Sequence, residues 1–551
     1  MPLLPQLRLE PLRRLRALVA RRSRSWYGPH PQPRRLRVRA LYSFQFAFLL
    51  FLPYLHILTD GHNRLMLGFS LRGLLQIYAV MTGTALTFLA GHVALGFVVG
   101  ALPSKWRGFA HRVCLGPLFA FGACAAAYLL LIHLPWSDPD AALAGYHSHF
   151  KWIWASVALG VISWPMLWRA FVGVGERLLQ LLIPLPLILL LHLQGYPAIS
   201  GPPTPPPFEA DSSNGTTPAN GDGGANPGSN LGSNLGAGLA TGPTYIFIFD
   251  EWDRLETFGK GPVAERFPHL AELLATSTSF AAATSTSNMT LHSIPAILFQ
   301  TQSEVKIDDR GSTWFAAEGD WQPSTAHESL FARLAPAGAP RWLIGRDVPY
   351  SILLGDQVDW VDQMPYDTGQ YLGLGEMVRA HLFKASFYGR FPFHRLLGLQ
   401  HYPADFALQS LTRQHGLTLR CIEHGGPRLV AVFHYLLPHN PFHYTRHGVR
   451  PDYRTAHVDP AAGYEGNLQY LDTVIGQLVA EIRRAGHWDS CTLVLTSDHG
   501  TDAPGTHDRR LEVPLIVKLP QQREARVVHE PIRTTEFVAW IERNVGKTAG
   551  D

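Results

Sequence analysis

The sequence predicts two architectures in series: an N-terminal domain of five membrane-spanning helices, then an α/β domain whose mainly parallel sheet is covered by helices. Three observations carry this. Apolar segments near the length a bilayer requires crowd the first 195 residues. A stretch rich in Pro and then in Gly, Asn and Ser follows at 196–243. From 244 onward, short runs that are apolar throughout alternate with amphipathic helices, the pattern of strands buried on both faces.

The arm 1–39 is dense in arginine, from Arg8, Arg13 and Arg14 to Arg34, Arg35 and Arg39. No small-residue cleavage site follows the first apolar run, so it does not read as a cleavable signal. Nor does it read as a nucleic-acid-binding arm, because an apolar segment begins at once after it. It accounts for much of the net charge of +4. Within 40–195 the apolar segments fall at about 40–59, 74–101, 113–134, 152–168 and 178–194. Lys105, Arg107 and Arg112 follow the second, and Arg169 and Arg177 separate the fourth from the fifth. The remaining loops carry Asp60, Asp138 and Asp140. By the positive-inside rule, the arm is cytoplasmic and five crossings put everything after 195 outside the cytoplasm.

The stretch 196–243 cannot bury enough apolar surface to offset its ordering entropy and reads as a flexible linker. In the outer domain, 244–551, strand runs are expected at 244–249, 341–345, 428–435, 491–497 and 512–518. A helix over Tyr464–Arg484 places Leu468, Leu471, Ile475, Leu478 and Ile482 on one stripe, with Glu465 and Asp472 on its exposed side. Cys421 and Cys491 are expected either to pair or to stay as buried thiols.

Two strand runs end on groups that bind metals. Thr492–Ser497 closes on Asp498-His499-Gly500, and Tyr245–Phe249 closes on Asp250-Glu251. Ligands of parallel sheets bind beyond such carboxyl ends. Between them in sequence lies the hydroxyl-bearing turn Asn288-Met289-Thr290-Leu291-His292-Ser293-Ile294-Pro295. Carboxylate and imidazole ligands with a hydroxyl nucleophile point to metal-assisted attack on a phosphorus or sulfur ester. The first ligand is Asp250 or Glu251. Mixed oxygen and imidazole donors suit Zn²⁺ or Mn²⁺, with Mg²⁺ or Ca²⁺ as alternatives.

These segments resemble the alkaline phosphatase/sulfatase superfamily, and within it the membrane-anchored phosphoethanolamine transferases and lipoteichoic acid synthases. Ser497-Asp498-His499-Gly500 is the most specific piece. Phe267–Leu274 resembles the helix after the first ligand strand, and Thr290-x-x-Ser293-x-Pro295 resembles the transferases' nucleophile turn. His434–Phe442 resembles the segment supplying a substrate-binding His, which implies His439 with His434 as a second candidate. Glu512–Lys518 resembles the late strand behind the site, and His507 fits the His expected soon after Asp-His-Gly. Two features depart from the pattern: Asp250-Glu251 stands where the transferases carry a Gly-Glu-Thr type sequence, and the several cysteine pairs of many transferases are missing.

The resemblance implies an enzyme of the bacterial cytoplasmic membrane whose catalytic domain faces the periplasm or cell exterior. A divalent ion held by Asp250 or Glu251, Asp498 and His499 would also bind the Thr290 oxygen and so activate it. A membrane phospholipid would donate its phospho-headgroup, His439 and His507 would bind phosphate and move protons, and an envelope glycan or lipid would accept the group. Hydrolysis of a phosphodiester or sulfate ester is the alternative, although the Cys/Ser-x-Pro-x-Arg sequence of sulfatases is not present around Thr290. A non-catalytic envelope protein that retains the fold is the third reading.

Overall fold

The structure is a computed structural model. Its described residues are 71–103, 185–194, 206–210, 242–364, 374–388, 398–453, 459–501 and 511–545, with parts of 40–58 and 105–113 and short gaps within these spans. They form two compact units: Met1–Thr59, Leu71–Tyr196 and Leu372–Gln400 make one, and Asp60–Ser70, Pro197–Tyr371 and His401–Asp551 the other.

In the first unit, helix α1 (Leu71–Ala101) coincides with the second expected membrane segment. Among the described residues it holds the only helix long and apolar enough to cross a membrane, over Gly73–Val99. It keeps large apolar side chains exposed, Leu86, Phe97 and Val98 among them, as a lipid-facing helix does. Leu185–Gln194 is helical within the fifth expected segment. The fourth, and all of the third beyond Val113, lie outside the described residues, as does the whole arginine-rich arm 1–39. The helix Leu374–Tyr388 belongs to this unit and not to the outer domain in which the sequence reading placed it. Its His381 ring lies 6.1 Å from that of Tyr54.

The second unit is built on an eight-stranded sheet. Its strands are β1 (Thr244–Phe249), β2 (Thr278–Phe280), β3 (Arg341–Arg346), β4 (Trp360–Met364), β5 (Val430–Tyr435), β6 (Thr492–Ser497), β7 (Leu515–Lys518) and β8 (Arg526–Val528). They lie in the order β8-β2-β7-β6-β1-β5-β3-β4. From β6 to β4 every pairing is parallel. β7 pairs antiparallel with β6 and with β2. The mainly parallel sheet is therefore as expected, and the late strand 512–518 is its antiparallel member, beginning at Leu515.

Strand β1 shows why the apolar runs are continuous. Tyr245, Phe247 and Phe249 point into one core with Phe267, Leu270 and Leu273 of α2 (Pro268–Leu274). Ile246 and Ile248 point into the opposite core with Ile294, Ile297 and Leu298 of α3 (Thr290–Phe299). Helices α4 (Tyr402–His424) and α5 (Pro460–Arg484) also cover the first face. The five stripe residues of α5 are all buried, each contributing about 1.5–3 kcal/mol of apolar burial.

Two expectations for this unit need correction. Asp472 is not solvated: it is buried and accepts hydrogen bonds from the backbone N–H groups of Leu270 (2.8 Å) and His269 (3.4 Å). It thus caps α2 from a different helix. Glu465 pairs with Arg266 at 2.5 Å. The Pro-rich start of the linker also makes contacts, because Phe208 stacks on His424 with ring centroids 5.3 Å apart and packs near Trp342. Cys421 and Cys491 are buried free thiols.

Candidate metal centre

The parallel register brings the ends of β6 and β1 level, with Phe249 opposite Ser497. The next residues, Asp250 and Asp498, therefore leave the sheet side by side, and His499 follows. One ligand atom from each of Asp250, Asp498 and His499 lies within 4.8 Å of the others, and all three residues are buried. His499 Nε2 stands 3.4 Å from Asp498 Oδ2 and 3.9 Å from Asp250 Oδ1.

Asp498 Oδ1 accepts from the backbone N–H of His499 (2.7 Å) and of Glu251 (3.1 Å). Asp498 Oδ2 and Asp250 Oδ1 are buried with no hydrogen-bond partner. His499 Nδ1 donates to the Gly500 carbonyl at 2.9 Å, which fixes the tautomer and turns the Nε2 lone pair toward the carboxylates. Ser285 donates to the Asp498 carbonyl and Trp252 N–H to Ser497 Oγ, holding the turn from behind. Two buried carboxylate oxygens without partners, converging on an imidazole lone pair, fit one divalent cation.

The electrostatics agree. Burial, the Asp498 carboxylate and then Glu251 push the Asp250 carboxyl well above the usual range. Asp498 goes the other way: burial raises it, but His499 and His434, with the Thr290 hydroxyl, bring it below the usual value. The two neighbouring carboxyls are thus pushed apart, Asp250 toward its neutral form and Asp498 toward its charged one.

Thr290 occupies the first turn of α3, and its Oγ1 lies 3.2 Å from His499 Nε2. The backbone N–H groups of that helix end favour an anion in front of the hydroxyl. Ser293, the second hydroxyl of the turn, instead donates back to the Met289 carbonyl at 3.1 Å.

Glu251 sits outside the ligand trio. It takes a left-handed φ of 63°, and its Oε1 lies 3.7 Å from His439 Nε2. His439 reaches the site because its backbone N–H donates to the Asp250 carbonyl (3.2 Å) and Asn467 Nδ2 donates to its own carbonyl (3.0 Å). His434 is buried within β5. Its Nδ1 lies 2.7 Å from the Tyr350 hydroxyl, and burial lowers its pKa. That places it beneath the site and not on its open side. His507 lies outside the described residues.

The sequence reading missed the end of β3. Arg346 and Asp347 are both buried there, and Tyr350 crosses over Gly345 so closely that a Cβ at 345 would stand 2.4 Å from the ring. The signal was present: a buried run ending on a charged pair, as β1 and β6 do.

Residues 384–541 match the Sulfatase family model, a stretch that contains His439, Asp498 and His499 but begins beyond Asp250 and Thr290. The C-terminal domain is thus sulfatase-like, of a fold that serves chemistry on phosphate or sulfate esters. No curated protein matches the chain. Among solved structures, the C-terminal periplasmic domain of EcEptC from Escherichia coli is similar at 15% identity and a TM-score of 0.36, over 56% of this chain and 82% of that one. The lipoteichoic acid synthase LtaP from Listeria monocytogenes is similar at 12% identity and a TM-score of 0.35, over 58% and 75%. The phosphonate monoester hydrolase of Agrobacterium radiobacter is similar at 13% identity and a TM-score of 0.37, over 55% and 74%. Overlaps this loose carry no argument about the reaction.

Proposed function

We propose that this sulfatase-like domain transfers a phospho-headgroup, of phosphoethanolamine or phosphoglycerol type, from a membrane phospholipid to an envelope glycan or lipid through a phospho-Thr290 intermediate. The observation that carries the reading is the Thr290 hydroxyl, 3.2 Å from a His499 nitrogen at the edge of the buried trio. Asp250, Asp498 and His499 would hold the divalent ion. Bound there, such an ion lowers the pKa of a hydroxyl and offsets phosphate charge.

The protein's own groups account for the rest. Thr290 Oγ1 forms the new bond to phosphorus as its proton leaves to water, and the phosphorus–oxygen bond to the diacylglycerol breaks. The N-terminus of α3 faces the phosphate oxygens. His439, 3.7 Å from Glu251, gives a proton to the departing diacylglycerol oxygen. Neutral His439 then takes the proton of the acceptor hydroxyl as that oxygen attacks phospho-Thr290, and the Thr290 oxygen leaves and regains a proton. His507 is the proposed second phosphate contact.

The lipid donor accords with a chain anchored in the bacterial cytoplasmic membrane by five helices, its catalytic domain facing outward. The long apolar helix α1 supports the anchor. Intact-mass analysis of the purified protein after incubation with phospholipid vesicles tests the reading. An adduct on Thr290 is expected, and its absence on the trapped enzyme would overturn the intermediate. Turnover with water as sole acceptor, undiminished by envelope glycans, would show a hydrolase instead.

A further inference from the structure

The sheet register places a third aspartate on the row that carries the metal trio. Ile344 of β3 is opposite Phe433, Phe433 is opposite Phe247, and Phe247 is opposite Leu495. Three residues further along each chain come Asp347, Leu436, Asp250 and Asp498. Asp347 thus leaves the same edge as Asp250, two strands away, or roughly 10 Å at ordinary strand spacing. Between them rises the segment that carries His439.

Asp347 is buried with one carboxylate oxygen unpaired. It is 9% exposed, and its Oδ1 has no hydrogen-bond partner. Its backbone takes a left-handed φ of 65°, a conformation that a non-glycine residue adopts at some cost. The Arg346 guanidinium lies 6.0 Å from the Phe406 ring and forms no ion pair with Asp347 among the described contacts. Arg346, His434 and His439 act favourably on the carboxylate from a distance, Asp498 acts against it, and burial raises its pKa. A buried carboxylate in this position asks for a single hydrogen-bonding cation.

We propose that Asp347 receives a protonated amine on the transferred headgroup, so that the domain selects an amino-alcohol phosphate over glycerol phosphate. This rests on the phospho-Thr290 reading above. With the phosphate at Thr290 and His439, a headgroup running along the sheet edge crosses the end of β5 and brings its terminal group to β3. An ammonium there pairs with Asp347 by a charge-assisted hydrogen bond. A glycerol hydroxyl fills the same space but leaves the carboxylate charge uncompensated, and a site built around one polar group discriminates strongly against its replacement.

The test uses the full-length protein in detergent, loaded with zinc. It is offered an equimolar mixture of ethanolamine- and glycerol-headgroup phospholipids, and the mass of the Thr290 adduct is read. Wild type should carry the aminoethyl phosphate in at least roughly 100-fold excess, and Asp347→Asn should lose that excess while keeping its zinc. Equal labelling by both donors in wild type overturns the proposal, as does an unchanged preference in Asp347→Asn. In parallel, binding of free phosphoethanolamine and of glycerol 3-phosphate is measured calorimetrically on zinc-loaded Thr290→Ala and on Thr290→Ala/Asp347→Asn. If no adduct forms with any donor, the phospho-threonine reading falls. The binding preference then decides the role of Asp347 alone: loss of an amine preference in the double variant upholds it, and equal binding of both phosphates to Thr290→Ala overturns it.

Discussion

Thr290 Oγ1 and His499 Nε2 are 3.2 Å apart although 209 residues separate them in sequence. The contact joins the first turn of α3 to the end of β6, so the nucleophile and the ligand set form one site. Each side of that contact can be tested separately.

Replacing Thr290 with Ala removes one oxygen from a half-buried position and no ligand of the trio. Turnover should fall by about three orders of magnitude or more, while zinc content and thermal stability stay at wild-type values. Thr290→Ser should retain a measurable fraction. Wild-type-like turnover in the alanine variant would remove Thr290 from the mechanism.

The ligand assignment separates neighbouring residues. Asp250→Ala and His499→Ala each delete a ligand of the trio, and Asp498→Asn removes the charge of its carboxylate. Each should weaken zinc binding by more than about 100-fold, since loss of an outer-shell partner alone costs 10–100-fold. Glu251→Ala and His439→Ala should keep zinc and lose activity, because Glu251 faces His439. Metal analysis after dialysis against a weak chelator distinguishes the two groups; zinc loss in Glu251→Ala alone would reverse the choice between Asp250 and Glu251.

Much of this site was legible because in a parallel sheet the carboxyl ends of strands collect the chemistry, and Asp250 and Asp498-His499 each directly follow an apolar run. What remained hidden depends on register or on contacts between elements. Asp347 follows an equally recognisable strand, but only the pairing of β3 with β5 shows that it is level with Asp250. Helical periodicity put Asp472 on a polar face without revealing that the N-terminus of α2 docks there. The antiparallel direction of β7 was within reach, since the sequence 498–514 carries no amphipathic or apolar run of the kind a parallel crossover uses. What turns Glu251 away from the trio is a left-handed turn at 251, which the sequence alone does not show.

Asp472→Ala should destabilise the outer domain by about 1–2 kcal/mol, the usual effect of losing a helix cap, with little change in zinc affinity. Chemical denaturation of the full chain in detergent would show it as a lower midpoint at unchanged slope. Asp472→Asn, which keeps an acceptor oxygen, should recover most of the loss. Equal stability of the alanine variant and wild type would mean that the cap contributes nothing.

The orientation of the outer domain follows from the basic loops. A reporter active only outside the cytoplasm should be active when fused after Gly242 and silent when fused near Lys105. Activity at Lys105 together with silence at Gly242 would put the outer domain in the cytoplasm and overturn this orientation.

The trio also predicts how metal binding depends on pH. Burial and the Asp498 charge raise the Asp250 carboxyl above its unfolded value, so in the metal-free protein the fold binds that proton more tightly than the unfolded chain does. The stability this contributes is complete below the unfolded carboxylate pKa and is lost as pH rises through the raised folded value. A divalent ion held by Asp250, Asp498 and His499 would compete with that proton. Its apparent affinity should therefore climb about tenfold per pH unit while Asp250 is still protonated, then level off. Thermal melts in excess chelator and in excess zinc, run as a pH series, would show the two curves diverging as pH rises. Asp250→Asn removes the titrating carboxyl and should flatten the chelator series. If the zinc-induced shift in wild type does not vary with pH across the carboxylate range and above, the competing proton, and the ligand role of Asp250 with it, is excluded.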